Sequence, residues 1–180
     1  MDHLPKHPNR QPVPGRSAAL SVSKGAIVAA WRTLLSERLQ THEASKKAAR
    51  SGTRVDGEHR PSNRGERAAV TTQGYLAHAF GERSLALQAS LEQLEAMGLG
   101  PRDEVVIGAV LTLEIDEGEP QIIALLPGGD ATVIDVDGQR VTILSASSPL
   151  AQQLRDAEVE DVLEVDIGPK VSEVYLTAIG

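Results

Sequence analysis

The sequence predicts an α+β protein in which a helical hairpin precedes an antiparallel sheet with one short helix. In the first half, apolar residues recur every three or four positions, as on one face of a helix. In the second half, short runs rich in Val, Ile, Leu and Thr alternate with turn residues, as in strands. Gly98, Gly100 and Pro101 interrupt both patterns between the halves. We therefore expect two folding units joined by a linker at 98–104.

The first unit begins with a segment, residues 1–23, that is polar and carries four prolines and few bulky apolar side chains. Such a segment cannot offset its ordering entropy by burial, so we predict a disordered tail. From Lys24 to Arg50 the pattern predicts an amphipathic helix with Ser23 as its N-cap. Its apolar face is formed by Ile27, Trp31, Leu34, Leu35 and Leu39.

A second helix follows a polar, glycine-rich stretch near 51–65, which predicts the tip of a hairpin. The two helices predict an antiparallel coiled coil over residues 24–97. Gly74 and Gly81 should weaken the second helix locally. Its seam lacks an apolar member at Arg83 or Ser84 and otherwise consists of Leu76, Phe80, Leu87, Leu91 and Leu94.

The second unit, residues 105–180, predicts six strands and one helix. Asp137 and Gly138 form a strong hairpin signal, and Ser148 and Pro149 predict the capped start of a short helix that ends at Leu154. The strands are predicted at Val105–Leu113, Gln121–Leu126, Ala131–Asp135, Arg140–Leu144, Val159–Ile167 and Lys170–Ile179.

Composition excludes several classes of function. The chain has no cysteine, so disulfides, thiolate nucleophiles and cysteine-based zinc sites are ruled out, and its five histidines show no shared ligand spacing. No run of about 18 apolar residues and no apolar signal segment occurs, so we expect a cytoplasmic protein without a membrane span. Charge is asymmetric: residues 1–97 carry 14 basic and 9 acidic residues, and residues 98–180 carry 4 and 16. This suggests two surfaces with different partners, or simply a solvated charged face.

Four short segments follow the helical hairpin in order: Gly108–Glu114 (GAVLTLE), Ser148–Leu154 (SPLAQQL), Val162–Val165 (VLEV) and Val174–Ile179 (VYLTAI). In this order and behind a hairpin, they resemble the bacterial Gre transcript-cleavage factors. The resemblance implies that the second unit is FKBP-like. One departure is the turn Arg155–Glu158, which replaces the glycine and lysine common in the family.

The resemblance implies a regulator of transcription elongation that binds RNA polymerase as a monomer and inserts its hairpin into the secondary channel. It further implies that the protein is not itself an enzyme and modulates cleavage of backtracked RNA by the polymerase. The motif Ser148, Pro149 and Leu150 would take part in docking on the polymerase. Two alternatives stay open: a divergent Gre-like paralogue that inhibits the polymerase, and a coiled-coil adaptor outside transcription. Prolyl isomerase activity is disfavoured, because its pocket is walled by aromatic residues and this unit offers only Tyr175.

The tip carries three competing interpretations. In cleavage-competent Gre factors two acidic tip residues help to hold a second Mg²⁺ in the polymerase active site, and Asp56 and Glu58 are the candidates here, although the family's Asp and Glu three residues apart are absent. The nearby basic residues would oppose cation capture and instead favour contacts with nascent RNA or the channel. The third interpretation is a solvated loop. The basic candidates are Arg54, Arg60, Arg64 and Arg67.

Overall fold

The computed structural model describes residues 22–53 and 64–180, apart from the side chains at 52, 53, 66 and 67. Its architecture confirms the predicted fold class: two long helices precede a six-stranded sheet with one short helix. Two predictions, the conformation of residues 1–21 and that of the tip at 54–63, lie outside the described residues. The elements are α1 Lys24–Thr53, α2 Arg64–Ala96, β1 Val110–Ile115, β2 Gln121–Leu125, β3 Asp130–Val136, β4 Gln139–Leu144, α3 Pro149–Gln153, β5 Val162–Ile167 and β6 Lys170–Ile179.

The sheet has the strand order β3-β4-β2-β1-β6-β5 and is mixed, where we predicted an antiparallel sheet. Four pairs are antiparallel, and β2 and β4 pair in parallel, with Ile122 opposite Val141. In a simple meander β3 would lie beside β2. Here the chain passes β3 to the edge of the sheet and returns through a tight turn, so β4 lies beside β2 and runs parallel to it. Gly129 permits this crossing, because a Cβ there would overlap the backbone of Leu144.

The central strands of the sheet are covered on both faces. On one face, side chains from every strand except β3 form a cluster with α3. This cluster, the α3 core, includes Leu111, Leu113, Leu154, Val174 and Leu176. On the other face, β1 to β4 pack against the base of the two long helices. This second cluster, the hairpin core, includes Val22, Ile27, Val28, Trp31, Leu35, Leu94, Val110, Ala124, Leu126, Val136, Val141 and Ile143. The base of the helical hairpin is therefore part of the folded core of the sheet.

Several element boundaries differ from the prediction. Val22 is 4% exposed in the hairpin core and Ser23 caps α1 by accepting a bond from the Ala26 amide at 3.1 Å, so neither residue belongs to the predicted tail. β1 starts at Val110 because the chain turns just before it. The Ala109 amide donates to the Val106 carbonyl at 2.9 Å, and Gly108 adopts a φ of 88°. β5 starts at Val162, because Glu160 adopts a positive φ of 79° and ends any continuous strand.

The hairpin helices extend further than predicted and carry a partly different seam. α1 ends at Thr53 and α2 begins at Arg64, both inside the stretch predicted as the tip. Leu76, predicted in the seam, is 47% exposed, whereas Ser84 fills the apolar gap and is 1% exposed. The Ser84 hydroxyl donates to the Phe80 carbonyl at 2.9 Å, which satisfies its donor inside the helix.

Candidate functional site

The two long helices α1 and α2 form an arm that projects from the sheet. One buried hydrogen bond and one ion pair fix the base of this arm to the sheet. The buried Trp31 indole donates from Nε1 to the Pro127 carbonyl at 2.9 Å. Arg38 lies two turns further along α1, with Nη1 2.9 Å from Asp130 Oδ2 and Nη2 2.8 Å from Thr132 Oγ1. Its guanidinium carbon also lies 5.3 Å from the centroid of the Trp31 ring. These contacts set the direction in which the arm leaves the sheet.

Asp130 is held in its charged form by this arrangement. Partial burial raises its pKa, but the Thr132 hydroxyl bond and the positive charge and hydrogen bond of Arg38 outweigh that effect, so its pKa is below the usual value. The Thr132 hydroxyl donates to Asp130 Oδ1 at 2.5 Å and also accepts the bond from Arg38. The three side chains form a network at the edge strand β3.

Past Arg38, α1 packs against α2 through contacts such as His42 with Phe80, and the interior of the arm becomes polar. The His42 ring packs 5.9 Å from the Phe80 ring, and His42 Nδ1 is buried without a partner among the described atoms. Glu43 is paired with Lys46 at 3.1 Å. The Glu43 pKa is below its usual value, first because of the neighbouring Ser84 hydroxyl and then because of the hydrogen bond from Lys46. Such a seam holds the helices together with less apolar burial than the base does.

The far end of α1 presents basic side chains. Glu43, Ala44, Lys46, Lys47, Arg50 and Ser51 line one shallow depression on the helix surface. Lys47 and Arg50 are exposed there, and Arg64 is exposed at the start of α2. Clustered cationic side chains at the end of a narrow arm can contact phosphate groups or acidic protein surfaces.

The residues predicted to act at the tip lie mostly outside the described structure. This holds for Asp56, Glu58, Arg54 and Arg60, and for the side chain of Arg67, whose backbone belongs to α2. The metal hypothesis for Asp56 and Glu58 therefore stays a prediction. Among residues 22–53 and 64–180, no group of three or more His, Asp or Glu side chains is arranged to hold a metal ion.

The predicted docking motif has a structural role in two of its three residues. Ser148 caps α3 by accepting a bond from the Ala151 amide at 3.3 Å, and Leu150 packs against the α3 core. Pro149, the first residue of α3, is exposed. Of the three, Pro149 is the side chain most available to a partner.

Two parts of the surface were not found from the sequence. The Arg38, Asp130 and Thr132 network joins residues more than 90 positions apart, and no local pattern marks it. The second is an open cleft that includes the atypical turn Arg155–Glu158. That turn was visible as a departure from the family pattern, although its neighbours in space were not.

Within the described ranges no helix has both the length and the apolar composition that a membrane span needs. As a class, the molecule is a two-helix arm whose base packs on a six-stranded mixed sheet.

No protein-family model matches the chain, and no curated protein matches it. Among solved structures, the chain is similar to GreA factor homolog 1 (Gfh1) of Thermus thermophilus, with 20% identity, a TM-score of 0.34, and coverage of 89% of this chain and 96% of that one. It is also similar to Thermus aquaticus Gfh1, with 18% identity, a TM-score of 0.35, and coverage of 88% and 96%. A further structure, of the transcription factor Gfh1, shares 22% identity at a TM-score of 0.35 and covers 83% and 93%.

Proposed function

We propose that the protein binds RNA polymerase in the cytoplasm and regulates elongation by placing its helical arm in the secondary channel. The observation that carries the proposal is the arm itself: helices of 30 and 33 residues whose base is fixed to the sheet and whose far end is basic. At about 1.5 Å per residue these helices are about 45 to 50 Å long. A long, narrow projection of this kind suits entry into a channel.

The sequence segments that resemble the Gre factors support the same proposal, since they fall on core elements of the sheet unit. Leu111 and Leu113 of the first segment, Val165 of the third and Val174 and Leu176 of the fourth are buried in the α3 core. The second segment forms α3 and its cap. The resemblance therefore coincides with residues that build the sheet unit, residues 105–180, which in this proposal docks on the polymerase.

In this proposal the protein is not an enzyme and has no cofactor of its own. Cleavage of backtracked RNA belongs to the polymerase, and the arm changes its rate. If Asp56 and Glu58 share Mg²⁺ with the polymerase, cleavage becomes faster, because carboxylate oxygens suit a second Mg²⁺ that stabilises the attacking hydroxide. If the basic residues dominate, the arm occupies the channel and cleavage becomes slower.

The test is a reconstituted, backtracked elongation complex to which the purified protein is added while transcript length is followed over time. A change in cleavage rate in either direction supports the proposal, and its sign separates a cleavage factor from an inhibitor. The variant Asp56→Ala/Glu58→Ala tests the carboxylates, with Glu82→Ala/Glu92→Ala on exposed positions of α2 as the matched control.

Loss of stimulation in the tip variant alone would assign the carboxylates a role in cleavage. An unchanged transcript profile, together with no binding of the polymerase to the protein, would refute the proposal. That result would favour an adaptor that uses the acidic sheet unit to bind another partner.

A further inference from the structure

The edge strand β5 presents a short row of backbone groups that no other described strand covers. In the sheet of residues 110–179, β5 pairs with β6 on one side and lies at the edge on the other. The Asp166 amide and carbonyl both point away from β6, because both are bonded to the Gln153 side chain. Alternate residues of a strand direct these groups to the same side, so those of Val162 and Glu164 also point outward. No described backbone group bonds to either of them on that side.

The Gln153 side chain occupies the place that a neighbouring strand would take at Asp166. Its Oε1 accepts from the Asp166 amide at 2.8 Å, and its Nε2 donates to the Asp166 carbonyl at 3.3 Å. A primary amide offers the same kind of donor and acceptor as a peptide group. An amide is therefore already held at this edge in the way that a peptide group of an added strand would be.

The side chains of β5 define which strand could be added. Every second residue of β5 is buried in the α3 core or packs against it. The other three, Val162, Glu164 and Asp166, lie on the opposite face of the sheet and are exposed. Side chains that are directly opposite in neighbouring strands contact one another, and opposite charges there are favourable whereas like charges are unfavourable. An added strand therefore needs basic residues beside the carboxylates and apolar residues on the side of α3.

Neither a second copy of β5 nor the opposite edge of the sheet fits strand addition as well. A second β5 would bring the same carboxylates against one another. The opposite edge strand, β3, is irregular between Asp130 and Thr132, where Ala131 adopts a positive φ of 66°. Arg38 of α1 also bonds to the side chains of Asp130 and Thr132. An irregular strand end held by a helix does not offer a regular row of backbone groups.

We propose that the outer edge of β5 binds an extended segment of a partner protein in which basic and apolar residues alternate. The segment pairs through its backbone with Val162 and Glu164 and adds a strand to the six-stranded sheet. Its basic side chains lie beside Glu164 and Asp166. Gln153 must leave Asp166 before the segment can pair along the whole edge, so Gln153 competes with the partner. This inference does not depend on the proposed function.

The test uses the full chain and the peptide KVKVKV, blocked at both ends, as the probe. In an NMR titration the Val162 and Glu164 amides should shift saturably and exchange hydrogen more slowly, because each gains a hydrogen bond. The peptide VVKKKV has the same composition without the alternation and should bind about fivefold more weakly. A KVKVKV peptide that is methylated on the backbone nitrogens facing β5 keeps the side chains and should not bind.

Removal of the competing amide should strengthen binding. Gln153→Ala frees the backbone groups of Asp166, so KVKVKV should bind about three- to tenfold more tightly. Gln152→Ala is the matched control, because Gln152 is an exposed glutamine one position earlier in the same helix, and its loss should leave the affinity unchanged. An affinity that is the same in Gln153→Ala as in the wild type overturns the proposal.

An exchange of charges tests the recognition of the side chains. Glu164→Lys/Asp166→Lys should lose binding of KVKVKV and gain binding of EVEVEV, which also reports that the variant is folded. Glu104→Lys/Glu119→Lys makes the same change in net charge at exposed positions outside β5 and should bind KVKVKV as the wild type does.

Equal binding of KVKVKV, VVKKKV and the methylated peptide would mean that charge alone holds them, and the proposal would be wrong. It would also be wrong if the Val162 and Glu164 amides became protected as the concentration of the protein alone is raised. In that case β5 pairs with a second copy of the chain.

Discussion

At the residue scale, Thr112 stands out as a polar group in an apolar place. It is 5% exposed, and its hydroxyl has no hydrogen-bond partner among the described atoms. By strand alternation its side chain faces the same side of the sheet as Val110, toward the hairpin core. A buried hydroxyl without a partner costs about 1 to 3 kcal/mol, so this position reduces the stability of the fold.

Replacing Thr112 with valine should therefore stabilise the protein. Thr112→Val keeps the shape and removes the unpaired hydroxyl, and we expect a gain of about 1 kcal/mol in the free energy of unfolding, measured with urea. The control is Thr132→Val, whose hydroxyl is bonded to Arg38 and Asp130, and which should lose stability. Equal losses of stability in Thr112→Val and Thr132→Val would contradict the view that the Thr112 hydroxyl is buried without a partner.

Asp130 gives the protein a defined response to acid. Its pKa is lowered in the folded state, so its stabilising effect is fully present above the ordinary pKa of about 4 and is lost as the pH falls through the folded value. In urea unfolding at pH 7 down to pH 2.5, Asp130→Asn should be less stable than the wild type at pH 7, and the difference should shrink below pH 4.

The partner of Asp130 provides the check on this explanation. If Asp130 stabilises the fold through its ion pair with Arg38, the double variant will lose less stability than the sum of the two single variants. These are Arg38→Gln and Asp130→Asn, measured at pH 7. Additive losses would show that the two side chains act independently.

At the scale of elements, the arm changes character along its length. Its base is apolar and packed on the sheet, whereas its middle contains His42, Glu43 and Lys46 opposite Phe80, Gly81 and Ser84. Helix stability in proteins comes mainly from packing of an apolar face, so the arm should open locally before its base does.

Gly74 offers a direct test of this weakness. It is exposed in α2, and a Cβ there would meet no atom within 4 Å, so Gly74→Ala should stabilise the helix by about 1 kcal/mol. The expected signal is slower amide hydrogen exchange in α2. Gly138→Ala is the contrasting variant, because Gly138 has a φ of 77° and alanine would be strained there by about 1 to 2 kcal/mol. Unchanged exchange after Gly74→Ala would argue against a weak arm.

At the scale of the whole molecule, charge is divided between the arm and the sheet unit. Residues 1–97 carry an excess of basic side chains and residues 98–180 a larger excess of acidic ones. If the arm enters the channel as proposed, its far end meets nucleic acid or the channel wall, and the acidic sheet unit remains outside. Binding should then weaken with salt through the arm.

Lys47→Gln/Arg50→Gln should weaken binding to a backtracked elongation complex and reduce the slope of log K against log salt. If both side chains contact phosphates, each accounts for about 0.7 to 0.9 of the slope. Arg32→Gln/Arg140→Gln removes the same charge from exposed positions on the base of α1 and on β4, and should leave the slope unchanged. Equal slopes for the two double variants would place the electrostatic contact elsewhere.

The sequence by itself determined the elements whose cause is local. The spacing of Ile27, Trp31 and Leu35 defined the buried face of α1, and Asp137 and Gly138 defined the turn between β3 and β4, since both adopt the positive φ that such a turn needs. The same local pattern found Ser148 as the cap of α3. Local periodicity left the gap at Arg83 or Ser84 open, and packing assigned it to Ser84.

Only the tertiary structure decided what depends on distant parts of the chain. The parallel pairing of β2 with β4, the bond from Trp31 to Pro127, and the cleft that unites Glu104 with Glu158 each join residues whose separation along the chain leaves no periodic signal. The apolar spacing of a helix and the residues of a tight turn lie within a few positions of one another, so the local sequence reports these elements. A shared core and a surface cleft form only when several elements meet, and their sequences specify each element without specifying its neighbour.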